Sequence, residues 1–339
     1  MIVLQLHGQD LILASLKNSI AQDRFHHAYV LAGASHTGKN TLALQIAQAL
    51  NCLGPNSPCM ECNQCTRIAH GEHPDIHIIN NETGDNTSKE IGIDAIREFS
   101  SQAYLKPFEG KTRVVIINPA EKLNEHSSNA LLKILEEPPA DVVILLISSS
   151  TDELMPTILS RCQLLQFKKI DYQTIKMLLE SEYGLEPKAA DIYARLSNGS
   201  IGWAISASRD SSIHASLHQI LEKISDIIEE GIESRFNYCE EFSRIHQRNR
   251  LTAETHLRLW LSWLRDILLI QNDVGHHIVH LDWRDTLEKH AKLFDRTEVL
   301  EWIDKIYSTT ALIERNINPR LALETVLIAA PLSSKRLTQ

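Results

Sequence analysis

"HAYVLAGASHTGKNTLALQIAQAL", residues 27–50, is the stretch that decides the fold. A short apolar run, 27–33, stops at a glycine loop, and helical spacing of apolar residues takes over at 41–50. Strand, glycine loop and helix are the context of a phosphate-cradling loop, whose pattern is Gly, four free positions, Gly, Lys and then Ser or Thr. Gly33, Gly38 and Lys39 are in place, but Asn40 stands where the hydroxyl residue belongs, and Thr41 follows it. These five residues are the candidate nucleotide-binding set, and the departure at Asn40 leaves occupancy open.

Working outward, "PDIHII" (74–79), "TRVVIIN" (112–118), "DVVILLISSS" (141–150) and "QLLQF" (163–167) read as further strands. Helical patterns lie between them at 93–104, 125–137 and 152–162, and 81–92 reads as a polar loop. The helix at 125–137 is stopped by Pro138 and Pro139. Continuous apolar strands alternating with helices predict an α/β fold with a parallel sheet covered on both faces. Beyond Lys168 strand signals fade, and from about 208 the helices are long. The expected domains are therefore a P-loop core over 1–168, a small helical unit over 169–207 and an all-helical part over 208–339.

The chain has 339 residues, 43% of them apolar and 23% charged, enough for two or three ordinary cores. Its net charge of −9 argues against a protein that coats nucleic acid by bulk charge. The longest apolar run, "VVILLI" (142–147), is far too short for a bilayer, and the first ten residues lack a signal-peptide pattern. The expectation is a soluble cytoplasmic protein with no membrane partner. Four of the six cysteines, Cys52, Cys59, Cys62 and Cys65, crowd into fourteen residues, a pattern of metal binding in a reducing compartment. Four thiolates can close a tetrahedral structural zinc site. An iron–sulfur cluster also favours two-residue gaps, but the Cys-Pro that ends the ferredoxin run is missing. His70 and His73 read as surface or packing residues, because four sulfurs already suffice.

A working phosphate site also needs an Asp at the end of a neighbouring strand to help hold Mg²⁺. Here that strand ends in Asn118, followed by Pro119. Mg²⁺ prefers hard, charged oxygens, so losing both carboxylate and hydroxyl removes its two protein anchors. Glu121 reads as a solvated or helix-starting residue. Hydrolysis at this site is not expected.

"HHAYVLAGASHTGKNTLALQIAQALNC", the cysteine cluster, "INPAEKLNEHSSNALLKILEEPP" and "PTILSRCQ" together resemble the AAA+ clamp-loader subunits of bacterial DNA polymerase III. The resemblance is best to the delta-prime branch, in which "NPAEKL" replaces the Asp-Glu pair of the ATP-hydrolysing gamma/tau branch. It covers roughly residues 8–168 with specific motifs; "WLSWLRDILL" and "NINPRLALE" extend it more weakly. It implies an AAA+ core with a helical lid, then a helical collar that joins subunits. The implied role is helping to load the sliding clamp onto primed DNA as part of the polymerase holoenzyme. Implied partners are gamma/tau-like ATPase subunits and a delta-like wrench. In the ATPase branch a lid Arg senses nucleotide within Gly-Ser-x-Arg; "GSIG" puts Gly202 at that position.

The resemblance also singles out "SRC", Ser160, Arg161 and Cys162. Read bare, an Arg at a helix end complements the helix dipole or forms a salt bridge. The family reading makes Arg161 a finger reaching the neighbouring subunit's ATP, with Ser160 and Cys162 positioning it. In the C-terminal part, "LRLWLSWLRDILLI" (257–270) is apolar on most sides and must be buried nearly all round. Asn318 and Pro319 form a cap and first position for a last helix. Histidines 276, 277, 280 and 290 lack fixed ligand spacing and read as surface residues. Two competing readings are an active gamma/tau-like motor and a zinc-containing nucleic-acid module with a vestigial loop.

Overall fold

The structure is a computed structural model that describes residues 2–22, 24–80, 90–314 and 317–328. Most of the polar loop expected over 81–92 lies outside the described residues. Along the chain run α1 (Asp10–Ala21), β1 (Ala28–Ala32), α2 (Lys39–Asn51), α3 (Asn63–His70), β2 (Ile76–Ile79), α4 (Ile93–Ala103) and β3 (Arg113–Ile117). Then come α5 (Glu125–Glu136), β4 (Val142–Ser148), α6 (Pro156–Leu159) and β5 (Gln163–Gln166). Helices follow: α7 (Tyr172–Ser181), α8 (Pro187–Leu196), α9 (Ile201–Arg209), α10 (Ser211–Glu229), α11 (Ile232–Arg248), α12 (Arg250–Gln271), α13 (Arg284–Leu293), α14 (Arg296–Glu314) and α15 (Pro319–Ile328). The described residues fall into two compact units. One holds those up to Thr174 with Gly199–Gly202; the other holds Ile175–Asn198 and those from Trp203 on.

In the first unit the strands form one parallel sheet in the order β2-β3-β4-β1-β5. Strands β1, β3 and β4 are buried at every position. Tyr29 and Leu31 pack into one core with α1 and α2, while Ala28, Val30 and Ala32 pack into another with α4 and α5. Alternate side chains point to opposite faces, so a strand buried on both sides needs apolar residues throughout. The edge strand β5 is exposed except at Leu165. Helix α5 starts at Asn124, whose side chain accepts from Ser127 N, and ends before the two prolines. The helix expected over 152–162 is a single turn, α6. Met155 is extended before Pro156, as a residue preceding proline prefers. Past Ser160 the chain must enter β5.

A buried carboxylate organises one end of this sheet. Asp75 accepts from the backbone N–H groups of Phe108 (2.6 Å), Glu109 (2.9 Å) and Gly110 (2.8 Å) and from Arg113 Nη2 at 3.2 Å. Burial opposes its ionisation, but the amides and Arg113 outweigh burial and hold its carboxyl below the usual range. Asn51 works beside it, accepting from Lys111 N and Thr112 N and donating to Thr112 O and Ala47 O. The loop leading into β3 is thus tied to α2 through side chains.

In the second unit α12 is the central element. Leu257, Leu259, Trp260, Trp263, Leu264 and Ile267 are buried, and Trp260 meets Trp302 at 5.4 Å between ring centres. The expected surface histidines need correcting. His280 and His290 are buried, because α12 turns polar atoms inward that need partners: Ser262 Oγ meets His280 Nε2 at 3.0 Å, and Trp263 Nε1 donates to His290 Nδ1 at 3.2 Å. His277 is exposed, and the His276 side chain lies outside the described residues. Helix α15 is capped by Asn318, which accepts from Arg320 N at 3.0 Å. Among the described residues no helix is long and apolar enough to cross a membrane.

Changing Asp75→Asn should cost about 3 kcal/mol of folding stability, the range for breaking a buried ion pair. The depressed carboxyl stabilises the fold above its unfolded value, and that contribution is lost as the pH falls through the folded value. Urea denaturation from about pH 3 to pH 7 should therefore show a smaller acid-side loss in the variant than in the native chain. Parallel pH profiles would contradict this role for Asp75.

Candidate functional site

The glycine loop leaves β1 at its carboxyl end and enters α2. Gly38 caps α2 with φ of 93°, a left-handed backbone that favours glycine. Thr37 Oγ1 donates to Ala34 O at 2.8 Å. Lys39 is buried, and its Nζ donates to Gly33 O at 2.5 Å and Ala34 O at 2.7 Å. Loop carbonyls thus help solvate the buried ammonium. Asn40 and Thr41 are exposed on the first turn of α2.

The turn into α9 also meets this loop. Gly202 N donates to His36 O at 2.9 Å. A Cβ on Gly202 would lie 2.8 Å from that same oxygen. The residue at the family's arginine position is thus held so close to the loop backbone that a side chain there would collide with it.

At the end of β3, Asn118 N donates to Ile79 O at 2.9 Å. Glu121 does not begin a long helix and is not simply solvated. It sits in a one-turn 3₁₀ segment, Ala120–Lys122, and its Oε1 accepts from Ser149 N (3.1 Å) and Ser149 Oγ (2.8 Å) while Oε2 is buried. It ties the turn after β3 to the residue following β4.

Arg161 lies at the opposite end of the strands, at the entry to the edge strand next to β1. It precedes β5, which runs parallel to β1 with Gln163 beside Tyr29 and Gln166 beside Ala32. The loop lies beyond Ala32, whereas Arg161 lies before Gln163, so the sheet's length of roughly 13 Å separates the two levels. Arg161 Nη1 donates to Thr157 O (2.9 Å) and Ser160 Oγ (3.2 Å), and Nη2 donates to Glu136 Oε1 (2.8 Å). Glu136, missed in the sequence reading, is the last residue of α5. Its only signal was its place before the stopping prolines. Cys162 is partly buried against the α5 core, and burial pushes its thiol up to about 12, which suits a packing residue and not a nucleophile.

The four clustered cysteines come together. Their Sγ atoms all lie within 4.8 Å of one another. A tetrahedral zinc with Zn–S near 2.3 Å would set the sulfurs about 3.8 Å apart, so the set can hold a metal ion and is compatible with structural zinc. Backbone amides of Gly54 and Cys59 donate to Cys52 Sγ at 3.3 and 3.4 Å, and that of Cys62 donates to Cys59 Sγ at 3.3 Å. Such bonds favour thiolates. Burial raises the Cys65 thiol to about 12; at Cys62 burial is outweighed by backbone and thiol hydrogen bonds that bring it to about 6. Cys52 closes α2, while Cys62 caps α3 and Cys65 lies in its first turns. A bound ion would fasten α2 to α3. His70 is exposed with Nδ1 on Thr66 O, and His73 is buried against Gln64, so neither joins the sulfurs.

A phosphate loop after the first strand, a five-stranded parallel sheet of this order and a following helical part define a P-loop α/β module of the AAA+ type. Residues 8–171 match the family described as DNA polymerase III, delta subunit, and residues 232–330 match DNA polymerase III, delta subunit, C terminal. The chain belongs to this family of DNA polymerase III clamp-loader subunits. It is 28% identical over 321 residues to DNA polymerase III subunit delta' of Bacillus subtilis (strain 168), covering 94% of this chain and 95% of that protein. It is 34% identical over 206 residues to subunit tau of Escherichia coli (strain K12), covering 59% of this chain but 31% of the relative. A gamma subunit-related protein of Thermotoga maritima overlays at a TM-score of 0.49 with 17% identity, covering 92% of this chain and 97% of that one.

Metal analysis of the purified chain should find close to one zinc per chain, in a colourless protein. Stripping the metal, or changing Cys62→Ser, should lower the thermal midpoint by roughly 5 °C or more. A metal-free chain of unchanged stability would contradict the assignment.

Proposed function

We propose that this chain is the delta-prime-like subunit of the clamp loader. It turns over no ATP at its own loop and lends Arg161 to the site of an adjoining ATPase subunit. The observation that carries this reading is the position of Arg161 at the entry to edge strand β5, at the end of the strands opposite its own loop. From there the guanidinium cannot serve a nucleotide on the same chain, but it can meet one on a neighbour packed against that edge. A finger supplied in trans neutralises charge spreading over the γ-phosphate oxygens and is worth roughly 10³ to 10⁵ in rate. Lysine would be a poorer donor, as it lacks the planar fork.

Three features support the absence of turnover: the amide Asn118 in place of the Mg²⁺-holding acid, Asn40 in place of the hydroxyl, and Gly202 pressed onto His36. The gamma/tau-like alternative draws on the 34% identity to tau, but that match spans 59% of this chain while the delta' match spans 94%. In this reading residues 169–207 act as the lid and 208–339 as the collar that joins subunits. Zinc at Cys52, Cys59, Cys62 and Cys65 is structural. The sliding clamp and primed DNA are engaged through the whole complex.

The test is ATP hydrolysis by the complex assembled with its ATPase neighbours. Arg161→Ala should remove the turnover of the one site it faces, by roughly 10³-fold at that site, with assembly intact. Full turnover in the Arg161→Ala complex would overturn the reading.

A further inference from the structure

The contacts of Arg161 join two elements rooted in one core. Helix α5 is fixed beneath Glu136 by the buried Leu131, Ile134 and Leu135, and α6 is fixed by the buried Ile158. Glu136 Oε1 lies 2.8 Å from Arg161 Nη2, with both side chains partly exposed. On the other element Thr157 O and Ser160 Oγ hold Nη1, and Ser160 Oγ itself donates to Thr157 O at 3.1 Å. A guanidinium has five N–H donors. These contacts use three and leave two for an incoming acceptor. As a contribution to stability, an exposed ion pair of this kind is worth little. Its effect is conformational. A free arginine side chain samples many rotamers, and each phosphate contact must then be bought from that freedom.

We propose that Glu136 is a positioning residue for Arg161. Its carboxylate holds the guanidinium in one orientation at the sheet edge before a neighbour's nucleotide arrives. This rests on the reading of Arg161 as a residue acting in trans. Two effects oppose each other here, because the carboxylate also repels a triphosphate. The bond engages only one edge of the fork, and Glu136 is half-exposed to solvent that screens its charge. Ordering therefore outweighs repulsion, and removing the carboxylate slows turnover.

The experiment is steady-state ATP hydrolysis by the assembled complex carrying Glu136→Ala, Glu136→Gln, Arg161→Ala, or Glu136→Ala with Arg161→Ala. Glu136→Ala should lower kcat at the affected site roughly two- to five-fold, the size an exposed pair can supply, with KM for ATP little changed. Glu136→Gln keeps an acceptor oxygen and should restore most of the rate. In the Arg161→Ala background Glu136→Ala should have no further effect, since the cycle isolates action through that arginine. Unchanged or faster turnover in Glu136→Ala, or an equal loss in the Arg161→Ala background, would overturn the proposal while leaving Arg161 in its role. Full turnover in the Arg161→Ala complex would remove both.

Discussion

The glycine loop of the first unit holds a buried ammonium against its own backbone. Lys39 Nζ sits on the carbonyls of Gly33 and Ala34, inside the loop that in a working phosphate site would present it to a ligand. A buried charge must be solvated by something, and here the loop's own backbone does it. Gly202 closes on the same loop through His36. The closed glycine loop and the amide Asn118 at the end of β3 are the two features from which the proposed absence of turnover is argued.

The sheet sets Arg161 before the start of β5, whereas the glycine loop follows the end of β1. Parallel β1 and β5 in register fix which residues share an edge. The arginine's level follows from the sheet and not from a flexible loop. The Asp75 hub and the cysteine cluster act at the connections between α2, α3 and β3, where the sequence has few apolar residues to spend on packing. Polar and thiol groups hold those connections: Asp75 and Asn51 take the backbone amides of residues 108–110 and 111–112, and the thiols take those of Gly54, Cys59 and Cys62.

Much of this was legible in the residues. Strands β1, β3 and β4 read clearly because both faces are buried, so no polar alternation interrupts them. The end of α5 was marked by two prolines, and the α15 start by Asn318 and Pro319; the Asn124 cap of α5 was not read. The cysteines announced themselves by spacing. What escaped was set by tertiary packing. The expected helix over 152–162 shrank to one turn because β5 claims the residues after it. His280 and His290 went inside because α12 carries Ser262 and Trp263 inward, which no local pattern reveals. Glu121 and Glu136 looked like ordinary charged residues; their partners Ser149 and Arg161 lie 28 and 25 positions away.

The most direct test of the central claim is phosphate release by the purified, metal-loaded chain alone, with Mg²⁺ and ATP in excess, compared with Lys39→Ala. With amides at Asn118 and Asn40 where a Mg²⁺-holding acid and hydroxyl would stand, both proteins should stay at background. Sustained Mg²⁺-dependent release from the native chain, lost in Lys39→Ala, would show that the loop still works as a catalyst and would contradict the account.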